Sequence, residues 1–273
     1  MRSKTHLFDA VVFTLVTIGL GLMTCCQSGS DPAADQAADK IDWTKTIVEK
    51  EGAIIRMDTS QAAIYLIFSG HDHNEGRMNV LQTLRDKGIK ASFFFTGDFY
   101  RNPVNREFID QLTQDNHYLG AHSDKHLLYA DWSHRDSTLV SRDSFRTDLQ
   151  NNYEAMEQLF GISIEDAPIF LPSYEWYNSD IAQWSTELGR TLINLTPGTG
   201  TARDYTWPEM GNRYTDSPTI ISNLMDYEAE NTLNGAILLI HLGTDPRRTD
   251  KLYHSLGQII DDLTAIGYQF KRF

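Results

Sequence analysis

The sequence predicts an α/β fold, and three observations carry that reading. Short apolar runs alternate with stretches of helical period from residue 62 to the C-terminus, a single helical stretch joins the first two runs, and no cysteine lies in that region. A strand, helix and strand within about 35 residues make a βαβ unit, whose strands run parallel beneath a covering helix. With Cys25 and Cys26 as the only cysteines, the fold has to hold by apolar burial, and 41% hydrophobic residues in 273 suffice for a sizeable core.

Taken in order, residues 62–68, AAIYLIF, form a short apolar run suited to a buried parallel strand. Residues 77–87 set Val80, Leu81 and Leu84 at helical spacing, and Gly88 stops that helix. The run 89–96, IKASFFFT, is the second strand. There follow a helix over 105–114, a strand over 118–121, a long helix over 144–160 closed by Gly161, and a strand over 168–171. A helix over 179–188, strands over 191–195 and 236–241, a helix over 252–266 and a last strand over 268–273 complete the alternation. Repetition of this kind suits a barrel or a doubly wound sheet, and in both the chemistry gathers at the carboxyl ends of the strands.

The first 26 residues are expected to be a targeting segment. Arg2 and Lys4 supply positive charge, residues 10–23 are uncharged and mostly apolar, and cysteine follows. That stretch is shorter than the roughly 20 residues a membrane-spanning helix needs. Leu22-Met23-Thr24-Cys25 resembles a bacterial lipobox, which implies a lipid on Cys25 (or Cys26) and a lipid-anchored protein of the bacterial cell envelope. Residues 27–45 begin small and polar, without an apolar period, and are expected to be a flexible linker, leaving 46–273 as the folded domain. A formal net charge of −13 argues against nucleic acid as a partner, since phosphate binding needs a basic surface.

Four strand ends bring polar residues to one rim: Ser69 to Asp72, His122, Pro172 to Tyr174, and His241. His122 and His126 are four apart, so on a helical turn both imidazoles would face one metal ion. Without thiolates in the domain, histidine and carboxylate are the available ligands.

YLGAHSDKH resembles the metal-binding motif of the polysaccharide deacetylases (NodB homology, carbohydrate esterase family 4). IKASFFFTG, PIFLPSYEWYN, GAILLIHLG and GYQFKRF resemble further segments of that family in the same order. The resemblance implies an irregular (β/α) barrel and metal-dependent hydrolysis of N-acetyl, or sometimes O-acetyl, groups on a polysaccharide. It also implies His122 and His126 as metal ligands, His241 as general acid, a divalent ion (zinc, or else cobalt or nickel), and an acetylated polysaccharide or oligosaccharide as partner.

Two departures concern catalysis. The family's first motif reads T-F-D-D-G, with base and third metal ligand as its aspartates, and here Ile67-Phe68 runs on into Ser69-Gly70-His71-Asp72. The family's arginine of the third motif is replaced by Leu171, before Pro172. The loop His71, Asp72, His73, Glu75 offers replacements. Asp72 is expected as third ligand and His71 as base or orienting group, with the converse assignment open and Glu75 in reserve. Tyr174, Trp176 and Trp207 are expected to bind substrate, because aromatic faces stack on sugar rings. By resemblance the backbone N–H at Tyr174 would hold the oxyanion. In the stretch ARDYTWPEM, Asp204 and Trp207 are expected to form a further wall. Two rivals remain: a glycan-binding pseudoenzyme of the same fold, and a glycoside hydrolase drawing on carboxylates such as Glu175, Glu209 and Asp204.

Overall fold

A 3-10 turn, Trp43–Lys45, opens the structure, a computed structural model that describes residues 41–273, and the Asp42 carboxylate caps it by accepting the Thr44 N–H. The targeting segment 1–26, the lipidation site at Cys25 or Cys26 and most of the linker lie outside the described residues. No described helix is long and apolar enough to cross a membrane.

Two short antiparallel strands come first, β1 (Ile47–Val48) and β2 (Ile54–Arg56). Then follow β3 (Ala63–Gly70), α1 (Arg77–Lys87), β4 (Ser92–Phe95), α2 (Gly97–Arg101), α3 (Arg106–Gln114), β5 (Tyr118–Ala121), α4 (Arg142–Phe160) and β6 (Ile169–Phe170). The chain continues through α5 (Ser179–Glu187), β7 (Thr191–Leu192), α6 (Ser217–Asn231), β8 (Ala236–His241), α7 (Leu256–Ala265) and β9 (Gln269–Lys271). β3 is buried along its length apart from a half-buried Tyr65, as a strand covered on both faces must be. α1 ends where Gly88 turns left-handed at φ 65°, and α4 ends in the same way at Gly161.

The sheet runs β1-β2-β8-β3-β4-β5-β6-β7, with β9 beside the early part of β3. The pairs from β8 through β3 to β7 are all parallel. A parallel bridge between Ile54 and Ile193, with the Asn194 N–H donating 2.8 Å to the Ile54 carbonyl, brings the far edge round to β2. The curled sheet is the irregular (β/α) barrel that the resemblance implied.

The core between the sheet and helices α2 and α3 is aromatic. Phe68, Phe93, Phe95, Phe99 and Phe108 are buried and in ring contact, and each contributes roughly 1.5–3 kcal/mol by leaving water. Register then fixes the rim: Ser69 pairs with His241, Gly70 with Phe95, Phe95 with Ala121, and Ala121 with Phe170. The residues that follow these strand ends are therefore neighbours in space.

Three expectations change. The helix expected over 252–266 divides into a 3-10 turn, Leu252–Ser255, and α7. α6 was not foreseen, although Ile220 and Leu224 are buried on it and Ile221, Met225 and Tyr227 pack beside them against the core. His122 and His126 do not share a helical turn: Ser123 (φ 74°) and His126 (φ 53°) both take left-handed backbone in an irregular loop.

Candidate active site

The HSDKH loop is held from beneath by two polar residues on the buried face of α4. Asp148 accepts hydrogen bonds from Ser123 Oγ (2.8 Å), the Asp124 N–H (3.1 Å), the Lys125 N–H (3.0 Å) and the Tyr129 hydroxyl (2.8 Å). One turn on, Asn152 Oδ1 accepts the His122 N–H at 2.9 Å. These bonds hold the left-handed backbone in a conformation that non-glycine residues seldom adopt unless their surroundings impose it. On the other side the Gly97 N–H donates to the Ser123 carbonyl, and a Cβ at Gly97 would lie 1.8 Å from Asp124 Oδ1, so only glycine permits this approach.

His122 is buried, and its Nδ1–H donates to the Leu171 carbonyl at 3.0 Å. A carbonyl can only accept, so the neutral ring presents Nε2 bare. Burial pulls the pKa of His122 down to about 3 and that of His126 to about 2, so both are neutral imidazoles, the form that ligates metal. Their ring centres are 5.2 Å apart. Two imidazoles bound to one tetrahedral ion at about 2 Å hold their centres about 5 Å apart.

His71 stacks on His126 at 4.5 Å. Its Nδ1 lies 3.2 Å from the Thr96 hydroxyl, which also accepts the Phe99 N–H at the start of α2, and its Nε2 lies 3.3 Å from Asp72. The Asp72 side chain is 78% exposed and turned to His71. Glu75 lies away from the histidines, accepting from the Thr244 N–H and from Lys251 Nζ.

Across the cleft, His241 ends β8 and its Nδ1 lies 2.5 Å from Asp204, whose other oxygen accepts the His241 N–H at 2.9 Å. Asp204 is 1% exposed. Burial opposes charge on His241, but Asp204, through its charge and its hydrogen bond, with help from Glu175, outweighs burial and lifts the pKa to about 9. His241 is thus a protonated imidazolium at neutral pH.

A cleft of about 820 Å³ joins these groups. Tyr174 and Trp207 line it as expected, together with Trp132 and Tyr205, which sequence reasoning passed over. Trp176 is not part of the lining: it stacks behind Trp132 at 5.4 Å and donates from Nε1 to the Asp131 carbonyl. Tyr174 packs on His126 at 4.2 Å with φ 60°, and Arg247 sits over Trp207 at 3.9 Å.

Sequence reasoning named Glu175 only among the carboxylates of a rival glycoside hydrolase, and it passed over the supports Asp148 and Asn152. The signal for the last two was present: Phe145, Asp148, Leu149, Asn152 and Met156 share a helical face, and polar residues on a buried stripe need a reason. Glu175 Oε1 lies 3.8 Å from His122 Nε2, where burial lifts its pKa to about 7.

Among the described residues no three His, Cys, Asp or Glu side chains close around an ion as they lie. The donor set still fits a divalent cation in kind, with two neutral imidazoles, one Nε2 bare and anchored, and a carboxylate beside it.

Comparison with known proteins bears on the fold and the family. The chain is 23% identical over 237 residues to the peptidoglycan-N-acetylglucosamine deacetylase of Bacillus cereus, covering 86% of this chain and 76% of that one. Two other curated relatives are matched over only 41% and 40% of their own length. Among solved structures, a carbohydrate esterase family 4 pseudoenzyme from Bacillus anthracis superposes with a TM-score of 0.62 at 18% identity, covering 82% of this chain and 68% of that one. A family 4 acetyl xylan esterase from Clostridium thermocellum, solved with a cobalt ion, superposes with a TM-score of 0.60 at 18% identity, covering 77% and 87%. At such identities the superpositions establish the fold alone. The sequence profile of the family described as polysaccharide deacetylase matches residues 56–193, half of the chain, and this protein belongs to that family.

Proposed function

We propose that the protein is a metal-dependent hydrolase that removes acetyl groups, N-acetyl or O-acetyl, from a cell-envelope or extracellular polysaccharide. The observation that carries this reading is the facing of two unlike histidine environments across one cleft: neutral His122 and His126 on one side, and His241 made cationic by Asp204 on the other. Groups of opposite protonation state lining one cleft suit acid–base hydrolysis of an acyl bond.

In this scheme His122 and His126 hold the divalent ion, zinc or else cobalt or nickel. The ion supplies Lewis-acid chemistry, polarising a carbonyl and lowering the pKa of water. The coupled pair of His71 and Asp72, 3.3 Å apart, supplies the base, one or the other accepting the proton of the attacking water. The Tyr174 N–H donates to the oxyanion. His241 gives its proton to the departing sugar nitrogen or oxygen. Tyr174, Trp207 and Trp132 receive the sugar faces, with Trp176 buttressing Trp132. An N-terminal lipid on Cys25 or Cys26 would keep the enzyme at the bacterial envelope, beside such a substrate.

A second reading, a glycan-binding protein without turnover, draws support from the absence of both first-motif aspartates and from the likeness to a pseudoenzyme fold. Acetate release from acetylated peptidoglycan, chitin oligomers and acetyl xylan separates the two. Turnover that chelator abolishes and His122→Ala eliminates is expected. Glycan binding with no acetate release from any substrate would favour the binding protein.

A further inference from the structure

We propose that Glu175 is the third protein donor of the metal site, taking over from the missing first-motif aspartates; this rests on the metal-dependent reading above. The position that should carry the ligand is closed. A Cβ on Gly70 would lie 2.9 Å from a Phe95 ring carbon and 3.1 Å from one of Phe99, both core rings. Room for a carboxylate at position 70 has been filled with aromatic carbon, so the site has been rebuilt from another element.

Asp72 is poorly suited to replace it. Its side chain is mostly in water and its carboxylate is directed to His71 Nε2. Glu175 has the opposite character. Its side chain is 14% exposed, and no hydrogen bond to its carboxylate is seen among the described residues. Its carboxylate lines the cleft beside His122 without a donor of its own, which leaves both oxygens available to a cation.

The backbone directs it there. Tyr174 (φ 60°) and Glu175 (φ 51°) are consecutive left-handed non-glycine residues, and the Glu175 carbonyl is held by Asn194 Nδ2 at 2.8 Å. Strain of this sort persists where surrounding structure imposes it, commonly at functional sites. Glu175 Oε1 lies 3.8 Å from the bare Nε2 of His122, and two donors on one tetrahedral zinc stand about 3.4 Å apart. A movement of a few tenths of an ångström closes that edge, and the 5.2 Å between the His122 and His126 ring centres already matches a shared ion.

The probe is zinc alone, titrated into the metal-free full-length protein by calorimetry, with thermal unfolding followed with and without zinc. Glu175→Gln should weaken zinc binding by about 100-fold or more. It should also shrink the rise in melting temperature that zinc produces. Asp72→Asn should bind zinc as the parent does. Glu175→Asp should recover part of the lost affinity. Zinc binding unchanged in Glu175→Gln but lost in His122→Ala would overturn this assignment and leave the metal reading standing. Zinc binding unchanged in His122→Ala would overturn both.

Discussion

At the scale of single residues, His241 shows how one neighbour sets a catalytic role. Alone at a buried strand end it would be neutral at physiological pH, since burial disfavours charge. Asp204, itself 1% exposed and bonded to both the ring and the backbone of His241, reverses this and holds the pKa near 9. The protonated acid is therefore available through neutrality and is lost as pH rises past about 9. In Asp204→Asn the alkaline limb of the rate profile should move to below pH 7, and the rate at pH 8 should fall by about tenfold or more. An unmoved alkaline limb would show that His241 is not the acid. His241 itself was legible from sequence as an ionisable residue ending the run AILLI, but its partner was not. Asp204 lies 37 residues away in the chain, and only folding reveals the contact.

At the scale of elements, α1, β5 and β8 could be read to the residue, because period and stop signal agree in each. The HSDKH loop could be read in composition but not in shape. A spacing of four between the histidines suggests a helical turn, whereas the loop bends through two left-handed residues to satisfy Asp148 and Asn152 on α4. A carboxylate with four donors cannot be removed cheaply. Asp148→Ala should cost about 3 kcal/mol in urea unfolding and weaken zinc binding as the loop slackens, while an exposed α4 substitution such as Glu154→Ala should do neither. Equal stability of parent and Asp148→Ala would mean that the loop holds its shape by other means.

At the scale of the whole molecule, the same low-dielectric interior that neutralises His122 also neutralises a histidine remote from the cleft. His117 is buried, its Nδ1 accepts the Ala91 N–H at 3.1 Å, and burial, aided by the Lys90 charge, lowers its pKa to about 4. A histidine depressed in the fold contributes stability above its unfolded value of 6.5, and loses it as pH falls from 6.5 through about 4. The loss through this group is about 3 kcal/mol, and the parent should show that much more acid destabilisation than His117→Leu across the window. Identical acid slopes would refute it. The sequence by itself determined the alternation of strands and helices, the family, and the histidines at the strand ends, because apolar period and local spacing are properties of neighbouring residues. Tertiary structure alone decided the barrel closure through Ile54 and Ile193, the pairing of Asp204 with His241, and the turning of Glu175 toward His122. Those depend on burial, register and charge between residues far apart in the chain, and none of these exists until the sheet has curled.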